Sequence, residues 1–119
     1  MAAILVVDDD PSILKFISTY LKIEGYRVLA ASNGLEGLAV FRSNSDLIDL
    51  VITDLKMPKM SGYEMAGQIR EINPEVKMIC MSGFAEEKCP ECLRILAKPF
   101  SIAELRMHVD EILSRPSRA

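Results

Sequence analysis

Five short apolar runs alternate along this chain with segments of helical periodicity, and three of the runs end in ionisable side chains. Ile4-Leu5-Val6-Val7 gives way to Asp8-Asp9-Asp10, Leu50-Val51-Ile52-Thr53 runs into Asp54, and Ile95-Leu96-Ala97 runs into Lys98. A run that is apolar at every position reads as a strand buried on both faces, which is how strands of a helix-covered parallel sheet read. Parallel strands all end at one edge, so acid, acid and amine converge where open α/β folds bind ligands. Such a constellation suits a divalent cation and a phosphoryl group.

The intervening segments support the alternation. Ala3 to Val7 is the first strand; Pro11-Ser12 then opens a helical stripe of Ile13, Ile17 and Leu21, flanked by Leu14 and Phe16 and closed near Gly25. Arg27 to Ala31 reads as a second strand, and the turn Ser32-Asn33-Gly34 leads into a helix whose inner face takes Leu35, Leu38, Ala39 and Phe41. Leu47 to Thr53 is the third strand, with Asp49 at its entry. Met57-Pro58 and Gly62 bound a loop before a helix from Tyr63 to Ile72, which buries Met65, Ala66 and Ile69 and stops at Asn73-Pro74. Val76 to Met81 and Arg94 to Ala97 are the last two strands. Ser101 to Leu113 forms the final helix, with Leu105, Val109 and Ile112 inward and a capping box over Ser101-Ile102-Ala103-Glu104. The expected architecture is one doubly wound α/β domain over residues 1–115, with 116–119 a tail or the start of a linker.

Bulk properties narrow the function. The 119 residues make one domain with a core large enough to need no staples. No apolar run approaches the roughly 18 residues of a membrane span, and Met1-Ala2-Ala3 lacks the basic start of a secretory signal, so a cytoplasmic location is expected. A net charge of −3 with interspersed signs offers no footprint for direct nucleic-acid binding. Three cysteines, an odd count in such a chain, argue against a disulfide framework.

Adjacent carboxylates past a strand end repel one another unless something offsets the charge. Asp10 is accounted for as the cap of the helix that Pro11 begins. Asp8 and Asp9 are not, since one helix needs only one cap. Mg2+ takes one or two carboxylates together with waters and a phosphate, and fits them. Asp54, at the point where a strand leaves the core, is placed to be both a ligand and a nucleophile forming an acyl phosphate. Lys98 suits phosphoryl oxygens as a point charge. Ser82, beside the unobstructed Gly83, offers a hydroxyl to the same group, and Pro99 restricts the backbone after Lys98, with a cis bond open to it.

With these residues in this order, the chain resembles the CheY-like receiver domains of two-component response regulators along nearly its whole length. The matching segments are Ile4-Leu5-Val6-Val7-Asp8-Asp9, Asp54-Leu55-Lys56-Met57-Pro58 with Gly62, Met81-Ser82-Gly83 and Lys98-Pro99-Phe100. The resemblance implies a flavodoxin-like (βα)5 fold of strand order 2-1-3-4-5. It implies phosphorylation of Asp54 by a sensor histidine kinase or phosphotransfer domain, catalysed by the receiver itself rather than by an enzyme acting on a separate substrate. It further implies that Asp9, Asp54 and the main-chain carbonyl of Lys56 bind Mg2+, that Asp8 acts largely through water, that Ser82 binds the phosphoryl group and that Lys98 pairs with it. No other cofactor is implied.

Two departures stand out. The aromatic residue that receivers usually carry three positions before the lysine is Ile95 here, and the stretch from Ser82 to Lys98 is short, so the fourth helix is expected to be shortened or missing. Pro90 restricts that stretch further. Loss of that surface leads to the expectation of a monomer. Cys89-Pro90-Glu91-Cys92 matches a redox dithiol or half a zinc site, but a zinc site needs two more ligands. With Cys80 inside an apolar strand and His108 on the last helix, neither is an obvious partner, and packing is the favoured role for the cysteines. A Mg2+-dependent aspartyl-phosphate hydrolase would need a second Asp where Lys56 stands. A flavodoxin-like flavin binder would set a phosphate against an acidic strand end with no metal.

Overall fold

The computed structural model describes residues 2–83 and 88–113. The elements in chain order are β1 (Ala3–Val7), α1 (Pro11–Ile23), β2 (Arg27–Ala31), α2 (Gly34–Ser43), β3 (Ile48–Asp54), α3 (Gly62–Ile72), β4 (Lys77–Ser82), β5 (Arg94–Ala97) and α4 (Ile102–Leu113). All strand pairings are parallel, in the order β2-β1-β3-β4-β5. This is the expected flavodoxin-like sheet. The tail expected at 116–119 lies outside the described residues.

The continuous apolar runs have the burial that a two-faced sheet demands. On one face Ile4, Val6, Leu50, Ile52, Ile79 and Met81 pack against Ile17 and Leu21 of α1 and Leu105, Val109 and Ile112 of α4. Alternate residues of the same strands, among them Leu5, Val7, Val51, Met78 and Cys80, meet Leu38 and Phe41 of α2 and Met65, Ala66 and Ile69 of α3. Asp10 caps α1, accepting from the N–H groups of Ser12 and Ile13. Ser101 and Glu104 form the expected reciprocal cap of α4. The equivalent pair at α3, Ser61 and Glu64, is equally visible as Ser-x-x-Glu and escaped the sequence reading. In α2 the inward face is Gly34, Gly37, Leu38 and Phe41, whereas Leu35 and Ala39, expected inside, face outward. Small residues replace them because α2 lies close to its neighbours: a Cβ at Gly37 would fall 2.7 Å from Met65 Sδ and 3.0 Å from a Val7 methyl.

Among the described residues no helix lies between β4 and β5. A short turn stands there instead, closed by the Cys92 N–H to the Cys89 carbonyl at 3.0 Å. Leu93 and Ile95 are accordingly left half exposed beside it. The turn is held from below by Arg70 near the end of α3, whose guanidinium donates to the carbonyls of Pro74, Val76 and Glu91. The cysteine expectation is overturned at this point. Cys80 and Cys92 are joined as a disulfide with Cα atoms 5.9 Å apart, because the short crossover folds back over β4.

The start of α3 is fitted closely against the end of β3. Gly62 donates its N–H to the Leu55 carbonyl at 2.8 Å, and a Cβ at position 62 would lie 2.1 Å from the Asp54 carbonyl oxygen and 2.8 Å from Leu55 Cα. Both obstacles are backbone and cannot rotate away. Gly62→Ala should therefore cost about 2–3 kcal/mol of stability, read as a lower urea midpoint at an unchanged slope.

Candidate functional site

The carboxyl edge of the sheet is assembled by register. Val7 pairs with Thr53 of β3, Asp54 with Met81 of β4, and Ser82 with Ala97 of β5. Asp8, Asp54, Ser82 and Lys98 therefore sit at or one residue beyond four neighbouring strand ends. Carboxylate oxygens of Asp8, Asp9 and Asp54 lie within 4.8 Å of one another.

The three acids differ in environment. Asp8 is wholly buried, Asp54 half-buried and Asp9 exposed. Asp8 Oδ1 accepts the Asp10 N–H at 2.8 Å, and Asp54 Oδ1 accepts the Leu55 N–H at 2.8 Å. Their other oxygens share one cation: Lys98 Nζ is 3.4 Å from Asp8 Oδ2 and 3.2 Å from Asp54 Oδ2. Burial raises the Asp8 carboxyl above its ordinary value of 3.8; the Asp10 N–H and Lys98 pull against that and do not cancel it, while Asp54 adds to it. Burial would lower the Lys98 ammonium, but Asp8 and Asp54 outweigh it and hold the group above its usual 10.5. The lysine is a fixed positive charge here.

Of the residues singled out in the sequence, Asp8, Asp9, Asp54 and Lys98 come together as one cluster. Ser82 is buried on the adjoining strand end, and its carbonyl accepts the Lys98 N–H at 2.7 Å. The Lys98–Pro99 bond is cis. Lys56 lies on the loop that leaves Asp54, where Lys59 adopts a left-handed φ of 71°. Thr53 was not singled out. It is fully buried, and its hydroxyl donates to the Asp54 carbonyl at 2.8 Å, which fixes the backbone carrying the central carboxylate. The signal was a lone hydroxyl ending an otherwise apolar strand. His108 stands away from this edge, against Arg94.

The three acids and one amine, on rigid strand ends, can hold a small hard cation and present a carboxylate to an incoming electrophile. Comparison with known proteins agrees with that chemistry. Residues 4–110 match the response regulator receiver domain family. CpdR, the response regulator receiver protein of Brucella abortus, is 31% identical, the alignment covering 95% of this chain and 98% of that protein. The transcriptional regulatory protein GlrR of Escherichia coli is 33% identical over 99% of the chain, which spans only 28% of GlrR's length. Among solved structures, response regulator TrrA of Thermotoga maritima in complex with Mg2+-BeF superimposes with a TM-score of 0.86 at 36% identity, covering 95% of this chain and all of that one. TrrA in complex with the histidine kinase ThkA gives 0.84 at 36% identity, over 96% and 100% of the two chains. From its sequence, its sheet order and the acids and lysine gathered at one edge, this chain belongs to the response regulator receiver domain family.

Proposed function

We propose that this domain is the phosphoacceptor switch of a two-component phosphorelay, with Asp54 the residue phosphorylated. The observation that carries the reading is the Asp54 carboxylate on a strand end, with Lys98 Nζ 3.2 Å from one oxygen and two further carboxylates alongside. The donor is a phosphohistidine of a sensor kinase or phosphotransfer domain, and TrrA bound to ThkA supports a partner of that class. The Asp54 carboxylate attacks phosphorus, the bond from phosphorus to the imidazole nitrogen breaks, and the imidazole leaves and takes a proton from solvent. The receiver thus catalyses its own modification, and water attack on the acyl phosphate resets it. The domain is proposed to span residues 1–115 and to act in the cytoplasm, where such kinases present their phosphohistidine; no described helix is long and apolar enough to cross a membrane.

The residues fit Mg2+. Three carboxylates within 4.8 Å of one another carry more negative charge than Lys98 alone balances, and the donor set is all oxygen. Asp9, Asp54 and the Lys56 main-chain carbonyl are its proposed direct ligands, with Asp8 acting through water. When bound, the ion neutralises charge on the phosphoryl oxygens. Lys98 supplies a second positive charge from a position set before reaction, so little reorganisation is needed. The Ser82 hydroxyl binds the phosphoryl group once it is on Asp54.

Acetyl phosphate with Mg2+ should add one phosphoryl group, labile to hydroxylamine, and Asp54→Asn should abolish it in intact-mass spectra; phosphate on Ser82 or His108 would overturn the assignment. Calorimetric titration should show a single Mg2+ site that Asp9→Asn weakens strongly.

Asp8 makes the metal-free fold sensitive to pH. Because burial raises its pKa in the folded state, its neutral form is the favoured one. The associated stability is fully present below its ordinary, unfolded value of 3.8 and is lost as pH rises through the folded value. At neutral pH the ionised, buried carboxylate is a cost. Asp8→Asn should therefore raise the melting temperature of the metal-free domain at neutral pH, and the advantage should shrink on acidification towards the ordinary carboxylate range.

With no helix before β5 among the described residues, and with Ile95 replacing the aromatic residue, the face that receivers commonly use for activated dimers is reduced. The domain should sediment as a monomer with and without beryllofluoride; an activated dimer burying Ile95 and the Cys89–Leu93 turn would contradict this.

A further inference from the structure

Cys80, Cys89 and Cys92 form a second cluster of potential ligands, chemically unlike the first. Their sulfurs all lie within 4.8 Å of one another. Cys80 and Cys89 are buried, and Cys92 is partly exposed. A carboxylate oxygen stands beside this group: Glu91 Oε1 is 3.7 Å from Cys89 Sγ. We propose that in the reduced protein these three thiolates and the Glu91 carboxylate form a binding site for a thiophilic divalent cation of the zinc type.

The ligand count is the first argument. A tetrahedral zinc site needs four donors, and a Cys80–Cys92 disulfide engages only two sulfurs while leaving Cys89 buried beside them. The second is spacing. Zinc–sulfur bonds of about 2.3 Å place the sulfurs of a tetrahedral site roughly 3.8 Å apart, so a cluster already within 4.8 Å needs only small side-chain movements. The third is how the ligands are held. Cys80 is fixed on central strand β4, and Cys89 and Cys92 stand at the two ends of one hydrogen-bonded turn. Arg70 fixes that turn by donating to the carbonyl of Glu91. A partly exposed Cys92 and Glu91 leave a way in for the ion. Softness separates this cluster from the acidic one, because thiolates select zinc-like ions and the all-oxygen site selects Mg2+. Binding releases three thiol protons to the buffer as three metal–sulfur bonds form, and no oxidant takes part.

The test uses the full chain, reduced with a phosphine, stripped with a chelator and kept in excess Mg2+ so that the acidic site is occupied. Added Co2+ should produce thiolate-to-metal charge-transfer absorption that saturates at one ion per chain and is abolished by one equivalent of Zn2+. Cys80→Ser, Cys89→Ser and Cys92→Ser should each weaken that band and the affinity, whereas Asp9→Asn should leave both unchanged. Because a serine variant can lose its fold, alkylation of the wild type supplies an independent reading: Zn2+ should protect all three cysteines from iodoacetamide. Absence of the band in reduced wild type, an undiminished band in Cys80→Ser, or three thiols alkylated equally fast with and without Zn2+ would each overturn the proposal and leave the disulfide as the only chemistry of the cluster.

Discussion

The parallel register is the constraint on which the functional edge depends. A parallel strand offers no choice about which end faces which, so residues at or just past the ends of β1, β3 and β5 are delivered to one edge regardless of their charge. Val7 opposite Thr53 brings Asp8 and Asp54 together; Ser82 opposite Ala97 brings in Lys98. A slip of one residue in any of these pairings would turn the apolar side chains on both sides of the sheet onto the wrong helices. Packing therefore holds the charged groups together although their mutual repulsion opposes it.

That repulsion explains the division of labour among the acids. Asp8, the most buried, is tied down by a backbone N–H and by Lys98, while Asp9 is exposed to solvent. Asp54 lies between these extremes, with one oxygen accepting the Leu55 N–H and the other paired with the lysine. Lys98 bridges two carboxylates, so the single amine offsets charge on both.

Most of the fold was legible because the local signals agreed with one another. The buried strands declared themselves by unbroken apolar runs, and Asp10, Asn73-Pro74 and the Ser101–Glu104 pair marked helix boundaries that the structure reproduces. The acidic site was legible for a related reason: charge at the end of an apolar run is conspicuous. Where pattern failed, the cause was proximity in space without a trace in sequence order. Leu35 and Ala39 have helical spacing suited to burial, yet α2 approaches α3 and β1 on its glycine side. Cys80 looked like packing because its strand is apolar, and only the fold-back of a shortened crossover puts Cys89 and Cys92 over it. Thr53 gave too weak a signal, since one hydroxyl in a strand has no spacing partner.

Arg70 shows how the shortened crossover is accommodated. One side chain of α3 ties two connections together: the Arg70 guanidinium reaches the Pro74 and Val76 carbonyls of the segment leading into β4 and the Glu91 carbonyl of the turn before β5. Three acceptors in different directions suit a planar fork of five donors and not the single ammonium of lysine. Position 70, on a partly exposed stretch of α3, thus carries a requirement that its own helix does not impose. Removing the Arg70 side chain would therefore loosen the approach to β4 and the Cys89–Cys92 turn together.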